Sequence, residues 1–266
     1  MRKTTEAKRN LTTIHQDGIV DVVYIEKEDE LNFIDAPVIG GGSNILIIKN
    51  NKVFKLADQF NYIKQNKEEL VVGAVTPLKS LILYCIKHSL GGLEFLSGVP
   101  ATVGGIIKSN AGAFEKEISD ILRYVKIFDS SDKSIKILDK SEIEFSYRKS
   151  SIDGVIIEAA FNLKNSNSVK DKVIEILKKR LTKAHLSFTF GSVFKNPTDG
   201  YAGWYIEQVG LKGFRKNTAA ISHKHANFII GSQITNTYDI LYLVELAKER
   251  VFKTFSIELT EEVVFI

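Results

Sequence analysis

A run of small residues from Gly98 to Gly112 constrains this chain more than any other stretch. It reads GVPATVGGIIKSNAG and holds four glycines, so few side chains project and the backbone can approach a ligand closely. A second run, GGGSNILII from Gly40 to Ile48, places three glycines and a Ser-Asn pair before an apolar strand. Successive N–H groups in such loops can form phosphate-binding concavities. We therefore expect the two runs to hold one long anionic ligand, such as a dinucleotide, at two places.

Missing motifs, the charge distribution and the single cysteine exclude several kinds of protein and site. The chain contains neither GxxxxGK[ST] nor a GxGxxG that opens a helix, so the common nucleotide motifs are excluded. Its 36 basic and 32 acidic residues give a net charge of +4, spread evenly along 266 residues. This scatter argues against a nucleic-acid or scaffold protein and suits an anionic small molecule. The single cysteine, Cys85, excludes an internal disulfide, and we expect it to be buried.

Length and patterning indicate two or three small modules of the α+β class. Short apolar runs broken by Gly, Asn and Asp predict strands in the first third. Thr76 and Pro77 predict the start of a helix that Gly91 ends, and DILYLVELAKERVFKTF predicts an amphipathic helix near the end. No apolar run approaches the roughly 18 residues of a membrane helix. No apolar segment follows the basic N-terminus as in a secretion signal, so we expect a cytoplasmic protein.

Three polar residues are candidates for catalysis. Arg148, in FSYRKSS, offers a fixed cation for a carboxylate or an oxyanion, although most such arginines are surface residues. Ser192, in GSVFKNP, offers a hydroxyl proton donor or simply a turn, and no GxSxG surrounds it as in a hydrolase. Glu262, on the predicted last strand, lies on the face opposite Glu261, where it either reaches into a cleft or is solvated.

Two further pairs carry weaker signals. His223 and His225 would share one face of a strand, but no third ligand stands at a convincing spacing, so we predict no metal site. Trp204 and Tyr205, in AGWYIEQVGL, are interpreted as core and pocket-wall aromatic residues.

The motifs, in this order, resemble the family of UDP-N-acetylenolpyruvoylglucosamine reductases, flavoenzymes of peptidoglycan precursor synthesis. The resemblance covers most of the chain through GGGSNILI, GLEFLSGVPATVGG, SNAGAF, YRKS, GSVFKNP, AGWYIEQVGLKG, HKHANFII and LTEEVVFI. Each motif alone is weak, whereas their ordered combination is highly specific. The chain lacks an inserted tyrosine-bearing loop and so resembles the shorter subtype of the family.

The resemblance implies an α+β fold with a two-part FAD-binding module of the vanillyl-alcohol-oxidase type and a smaller α+β substrate domain. It implies that residues 1–50 form the first flavin subdomain, 51–185 with 256–266 the second, and 186–255 the substrate-binding domain. It also implies FAD as cofactor, NADPH as hydride donor and the enolpyruvyl ether of UDP-N-acetylglucosamine as substrate. We expect a monomer with no nucleic-acid or membrane partner.

The same resemblance assigns roles to residues. Arg148 and Glu262 would polarise the substrate carboxylate and stabilise an enol-like intermediate, and Ser192 would deliver the proton. Lys183, Lys195 and Asn196 match positions that touch the substrate, and Lys195 is also a candidate cation beside Ser192. The cofactor-binding positions implied are Gly40, Gly41, Gly42, Ser43, Asn44, Ile45, Gly98, Pro100, Ala101, Thr102, Gly104, Gly105, Asn110, Ala111 and Gly112.

Some segments depart from the family pattern. LTTIHQDGIVD lacks the usual glycine pair before the first flavin-domain strand, Ala101 stands where many relatives carry glycine, and GFRKNTAAIS replaces a more glycine-rich stretch. Two alternatives therefore stay open. One is another FAD-dependent oxidoreductase of the same flavin fold, although the chemistry of such an enzyme does not require GSVFKNP together with Glu262. The other is a relative that binds FAD without turnover, against which the retained Arg148, Ser192 and Glu262 weigh.

Overall fold

Short apolar runs fold into strands and five α-helices over residues 1–49, 51–66, 69–183 and 188–266, which are the residues described by this computed structural model. The helices are α1 Leu78–Lys87, α2 Val103–Lys108, α3 Val169–Lys183, α4 Ala202–Gln208 and α5 Thr237–Phe255. The strands are β1 Arg2–Ala7, β2 Ile19–Ile25, β3 Ile45–Leu46, β4 Lys52–Leu56, β5 Ile63–Gln65, β6 Leu70–Gly73, β7 Leu90–Gly91, β8 Gly112–Ala113, β9 Lys116–Glu117, β10 Leu122–Asp129, β11 Ser134–Asp139, β12 Phe145–Ser146, β13 Lys149–Ser150, β14 Val155–Phe161, β15 Lys164–Asn165, β16 Thr189–Ser192, β17 Arg215–Lys216, β18 Ala219–Ile221, β19 Phe228–Ile230 and β20 Val264–Phe265.

These elements pack into two units, each with its own apolar core. Unit 1 comprises residues 1–4, 22–41 and 52–179, and unit 2 comprises residues 5–21, 42–51 and 180–266. The division differs from the three predicted domains, because the segment 256–266 packs in the same unit as 186–255. The three-domain division by ligand stays a prediction.

A five-stranded antiparallel sheet lies at the centre of unit 1, in the order β11-β10-β14-β6-β5. The helix α2 packs against β6 and β14. The predicted apolar stripe of α1 is buried in the same core, which includes Leu78, Leu81 and Cys85. The expectation for Cys85 is confirmed, since its side chain is 1% exposed and burial raises the pKa of its thiol to about 12.

The helix α1 begins later than the sequence predicts. Thr76 is not its N-cap, because the Thr76 hydroxyl donates to Tyr62 O and accepts from Tyr62 N, both at 3.1 Å. The first helical residue is Leu78, after Pro77, and the helix ends before Gly91, which lies in β7. A threonine hydroxyl can bond any backbone group that approaches it, and Tyr62 lies too far away in sequence for a local pattern to show this contact.

Unit 2 is built on a four-stranded antiparallel sheet in the order β16-β19-β18-β17. The helix α5 packs against β18 and α4, and its position confirms the predicted amphipathic helix near the end of the chain. Asn236 caps α5, because its Oδ1 accepts from the N–H groups of Tyr238 and Asp239. Within the described ranges, no helix combines the length and the apolar character that a membrane span needs.

A buried carboxamide links two distant segments of unit 2. Gln16 Nε2 donates to Ile47 O at 2.7 Å, and Gln16 Oε1 accepts from Ile47 N at 2.9 Å. The side chain therefore satisfies both backbone groups of one residue, as a neighbouring strand would. Its Nε2 also lies 3.0 Å from Thr237 Oγ1 on α5, so the Gln16 side chain joins the start of the chain to this helix.

Candidate active site

The two glycine runs meet in unit 1. A Cβ on Gly40 would lie 2.6 Å from Thr102 Oγ1, and one on Gly41 would lie 3.6 Å from Pro100 O. The carbonyl oxygen of Gly40 accepts a hydrogen bond from Lys55 Nζ at 3.3 Å, which places a cation beside the first run. In this unit the two runs are neighbours and form one exposed, backbone-rich surface, rather than the two separate places expected from sequence.

Gly42, in unit 2, can only be glycine. Its φ is +68°, and a Cβ there would lie 1.7 Å from Leu11 O. The next residues, Ser43 and Asn44, form a turn that leads into β3 at Ile45. The backbone of the N-terminal segment at Leu11 thus packs directly against Gly42 in unit 2. The departure of LTTIHQDGIVD from the family pattern gave no sign of this contact.

A pair of glycine substitutions tests this contact. We expect Gly42→Ala to lower the free energy of unfolding by at least ~3 kcal/mol, because the methyl group adds a backbone overlap to the strain of a positive φ. Gly210→Ala is the matched control, since Gly210 has a φ of +73° with nothing within 4 Å of its Cβ. The control should lose only about 1 kcal/mol. Denaturant melts would measure both, and equal losses would contradict the overlap.

The second glycine run contains a helix where the sequence predicts only a loop. The helix is α2, whose apolar residues are buried, and its C-terminus carries the bonds of a Schellman motif: Ala111 N donates to Ile106 O and Asn110 N donates to Ile107 O. Asn110 takes the left-handed position of this motif, with a φ of +43°. Gly98, at the other end of the run, is exposed.

Asn110 also connects this run to the turn that carries Arg148. Its Nδ2 donates to Glu117 Oε2 at 2.7 Å and to Ser146 O at 3.0 Å. Asn110 Oδ1 and Ser97 Oγ are buried and have no hydrogen-bond partner among the described residues. An unpaired buried polar atom costs about 1–3 kcal/mol, so these two atoms are candidates for ligand contacts.

Arg148 lies in a two-residue turn between β12 and β13. Its φ is +58°, and its Nη2 donates to Gly112 O at 2.9 Å. The guanidinium carbon lies 4.9 Å from the centre of the Tyr147 ring. These contacts hold a half-buried cation against the end of the second glycine run in unit 1.

Ser192 ends β16, where the strand pairing is irregular. The register pairs Thr189 with Ile230 but Ser192 with Phe228, which leaves one extra residue in β16. Gly191 sits in this bulge with a φ of +82°. Such bulges redirect the next side chain and are frequent beside active sites. The half-buried Ser192 therefore stands at a redirected strand end rather than in a simple turn.

The structure brings the segments that carry Ser192 and Glu262 together in unit 2. Glu262 N donates to Val193 O at 2.8 Å, directly after Ser192. The sequence prediction for Glu262 is wrong in one respect, because the residue lies in a bend and the strand β20 begins only at Val264. Asn44 Nδ2 donates to Glu262 O at 3.0 Å, so the first glycine run also fixes this bend.

Glu261, the residue before Glu262, has a partner on α5. Lys248 on α5 donates to Glu261 Oε1 at 2.7 Å, and this bond raises the pKa of Lys248. Glu261 is therefore engaged in an ion pair within unit 2.

Two of the three predicted substrate residues, Lys195 and Asn196, lie in the loop after Ser192. Lys195 is half-buried, and its N–H donates to Thr260 O at 2.8 Å. Asn196 is exposed, and its Oδ1 accepts from Ala202 N at 3.2 Å, at the start of α4. Lys183 is the last residue of α3, and its side chain lies outside the described part of the structure.

The two aromatic residues of α4, Trp204 and Tyr205, differ in how far they are buried. Tyr205 is 7% exposed and belongs to the core of unit 2, as predicted. Trp204 is 51% exposed, so it is not a core residue, and its place in a pocket wall stays a prediction. Consecutive residues of a helix face different directions, and here only Tyr205 faces the core.

Two family profiles match the chain. Residues 183–266 match "UDP-N-acetylenolpyruvoylglucosamine reductase, C-terminal domain", and residues 22–137 match "FAD binding domain". The UDP-N-acetylenolpyruvoylglucosamine reductase of Clostridium tetani is 33% identical over 283 residues, covering 99% of this chain and 92% of that protein. The Clostridioides difficile reductase is 34% identical over 257 residues, covering 93% of this chain and 83% of that protein.

A solved structure gives the same result. The crystal structure of UDP-N-acetylenolpyruvylglucosamine reductase from Thermus caldophilus matches with a TM-score of 0.87 and 31% identity over the whole of both chains. Together with the FAD-binding profile and the mixed helices and strands, this match confirms the predicted α+β fold with a flavin module.

Proposed function

This chain belongs to the UDP-N-acetylenolpyruvoylglucosamine reductase family, and from that premise we propose that Arg148, Ser192 and Glu262 are its catalytic residues. The enzyme is an FAD-dependent oxidoreductase of peptidoglycan precursor synthesis. The observation that carries the proposal is the hydrogen bond from Glu262 N to Val193 O, which holds Glu262 beside Ser192 although the two are distant in sequence. Other flavin oxidoreductases are not favoured by the comparisons.

The glycine runs fit the cofactor. In unit 1 the first run packs against Pro100–Thr102. Asn110 Oδ1 in the second run and Ser97 Oγ directly before it are buried and have no hydrogen-bond partner among the described residues. We assign the FAD to the predicted positions from Gly40 to Ile45 and from Gly98 to Gly112. When bound, FAD supplies the hydride that NADPH provides and the enolpyruvyl group receives.

The chemistry requires both charge stabilisation and a proton. Hydride addition to the terminal enol carbon places negative charge on the neighbouring carbon and its carboxylate. Arg148 stabilises this charge, because a guanidinium remains protonated and pairs with carboxylates in a bidentate manner. Ser192 delivers the proton to the charged carbon, and the bulge at Gly191 directs its hydroxyl.

Glu262 assists only in a protonated or hydrogen-bonded form, since a bare carboxylate would repel the developing charge. Lys195 is proposed as the cation that makes the Ser192 hydroxyl a better acid, and it stands three residues further along the chain. Lys183, Lys195 and Asn196 are proposed as substrate-binding residues. The hydrogen bond that Ala202 N donates to Asn196 Oδ1 supports a fixed position for that side chain.

The substrate and NADPH are both highly charged, and a charged molecule crosses an apolar bilayer at great cost. We therefore propose a cytoplasmic enzyme that meets both compounds where they are made. A monomer without nucleic-acid or membrane partners is part of the same proposal, and the even scatter of lysine and arginine along the sequence supports it.

An anaerobic flavin absorbance trace tests the function. We expect NADPH to bleach the purified holoenzyme and the enolpyruvyl ether of UDP-N-acetylglucosamine to restore the colour within seconds. Return of colour with a stoichiometric amount of UDP-N-acetylmuramate would establish both half-reactions. Bleaching without return would retain a flavin reductase but overturn the substrate.

A further inference from the structure

Asn227 lies in HKHANFII, a motif of the sequence to which the proposed chemistry gives no role. It is 3% exposed, and its side chain bonds both backbone groups of one residue. Asn227 Oδ1 accepts from Phe194 N at 3.0 Å, and Asn227 Nδ2 donates to Phe194 O at 2.8 Å. The carbonyl oxygen of Asn227 also accepts from Val193 N at 2.8 Å. One residue thus holds three backbone groups directly after Ser192.

The opposite side of the same segment is held by Glu262, whose N–H donates to Val193 O. Val193 and Phe194 therefore lie between Asn227 and the bend that carries Glu262. The segment is buried, so a lost partner cannot be replaced freely by water. The position of Ser192 relative to Glu262 depends on where this segment is held.

Asn227 is itself fixed by its turn. Its N–H donates to His225 Nδ1 at 3.3 Å, and Phe228 N donates to His225 O at 3.0 Å. His225 and His223 thus lie in the turn between β18 and β19, not on a strand as the sequence suggests. The turn brings the Asn227 amide to the end of β16, where β19 begins.

From this geometry we propose that Asn227 is a positioning residue that sets the separation of Ser192 and Glu262. It is buried and acts through its bonds to Val193 and Phe194. This inference rests on the proposed roles of Ser192 and Glu262. It predicts a defect confined to proton delivery, since a displacement of about 1 Å in a catalytic group can slow a reaction about 100-fold.

The experiment compares Asn227→Ala with Gln16→Ala in the flavin-loaded enzyme. Gln16 is the matched control, because its buried carboxamide also bonds both backbone groups of one residue in unit 2. Both variants should lose similar thermal stability. We expect Asn227→Ala to slow flavin reoxidation by the enolpyruvyl sugar nucleotide about 10- to 100-fold, with reduction by NADPH changed less than about twofold. Gln16→Ala should retain both rates.

A second variant covers the case in which Asn227→Ala does not fold. In Asn227→Asp the introduced carboxylate faces Phe194 O and repels it, whereas the protonated carboxyl can donate to it. Burial raises the pKa of such a carboxyl, so the ratio of variant to wild-type reoxidation rate should rise at least about 5-fold between about pH 8 and pH 5.5. A flat ratio would overturn the inference.

Two results separate this inference from the proposed function. If Asn227→Ala reoxidises at the wild-type rate, or if Gln16→Ala is slowed equally, the positioning role is wrong while the roles of Ser192 and Glu262 stand. If Ser192→Ala itself reoxidises normally, the proposed proton donor fails and the positioning role fails with it.

Discussion

Ser192→Ala is expected to reoxidise its reduced flavin about 10²- to 10⁴-fold more slowly than the wild-type enzyme when the enolpyruvyl sugar nucleotide is added. Reduction by NADPH should change less than about twofold, because that half-reaction does not use the donated proton. The substitution removes one hydroxyl group at the end of β16. Rapid mixing under anaerobic conditions measures each half-reaction separately.

The control for this variant is Ser232→Ala. Ser232 is a half-buried serine of unit 2, and its hydroxyl donates to Ile234 O at 2.7 Å. Loss of that bond should alter neither half-reaction. Equal slowing of both half-reactions in Ser192→Ala would mean that the substitution disturbs the flavin module, and the role of proton donor would be rejected.

Arg148→Ala is expected to slow the same reoxidation about 10²- to 10³-fold, because the charge on the substrate carboxylate loses its fixed cation. Arg148→Lys should recover only part of the rate. A lysine carries the charge, but it lacks the planar guanidinium fork that donates to Gly112 O and that can pair with a carboxylate in a bidentate manner. Single-turnover rates at saturating and limiting substrate would separate loss of binding from loss of the chemical step.

Arg123→Ala is the matched control for charge. Arg123 also lies in unit 1, where its guanidinium is 2.8 Å from Glu69 Oε2. Removing it lowers the net charge by the same amount at a position outside the proposed site. If Arg148→Ala and Arg123→Ala slow reoxidation alike, the effect of Arg148 is one of overall charge, and its proposed role is wrong.

Patterns within a short stretch of sequence correctly predicted the features that depend mainly on the residues of that stretch. The amphipathic helix α5 and the burial of Cys85 follow from apolar spacing alone, and both are confirmed. The start of α1 was predicted one residue too early because Thr76 bonds Tyr62, a contact between distant segments. The helix α2 was missed because Gly104 and Gly105 lower helix propensity, while burial of Val103 and Ile106 offsets that cost.

In the candidate site, too, contacts between segments distant in sequence could not be predicted from local patterns. The residue types of Arg148, Ser192 and Glu262 were identified through their motifs, but not the contacts that hold them. The bond between Val193 and Glu262 joins segments far apart in sequence, and no periodicity reports it. Asn227 gave only one signal, its place in HKHANFII, since a buried asparagine and an exposed one look alike in a single sequence.

The short parallel pair of β3 and β20 sets an order of events during protein synthesis. Asn44 and Glu262, which bond beside this pair, are separated by 218 residues. A ribosome adds about 5–20 residues per second. About 10 to 40 s therefore pass between the synthesis of the first glycine run and that of β20, the strand that pairs with β3 in this run. During that interval Ile45 and Leu46 expose an unpaired strand edge. Nascent chains that stop before residue 260 therefore leave this strand edge accessible to a chaperone.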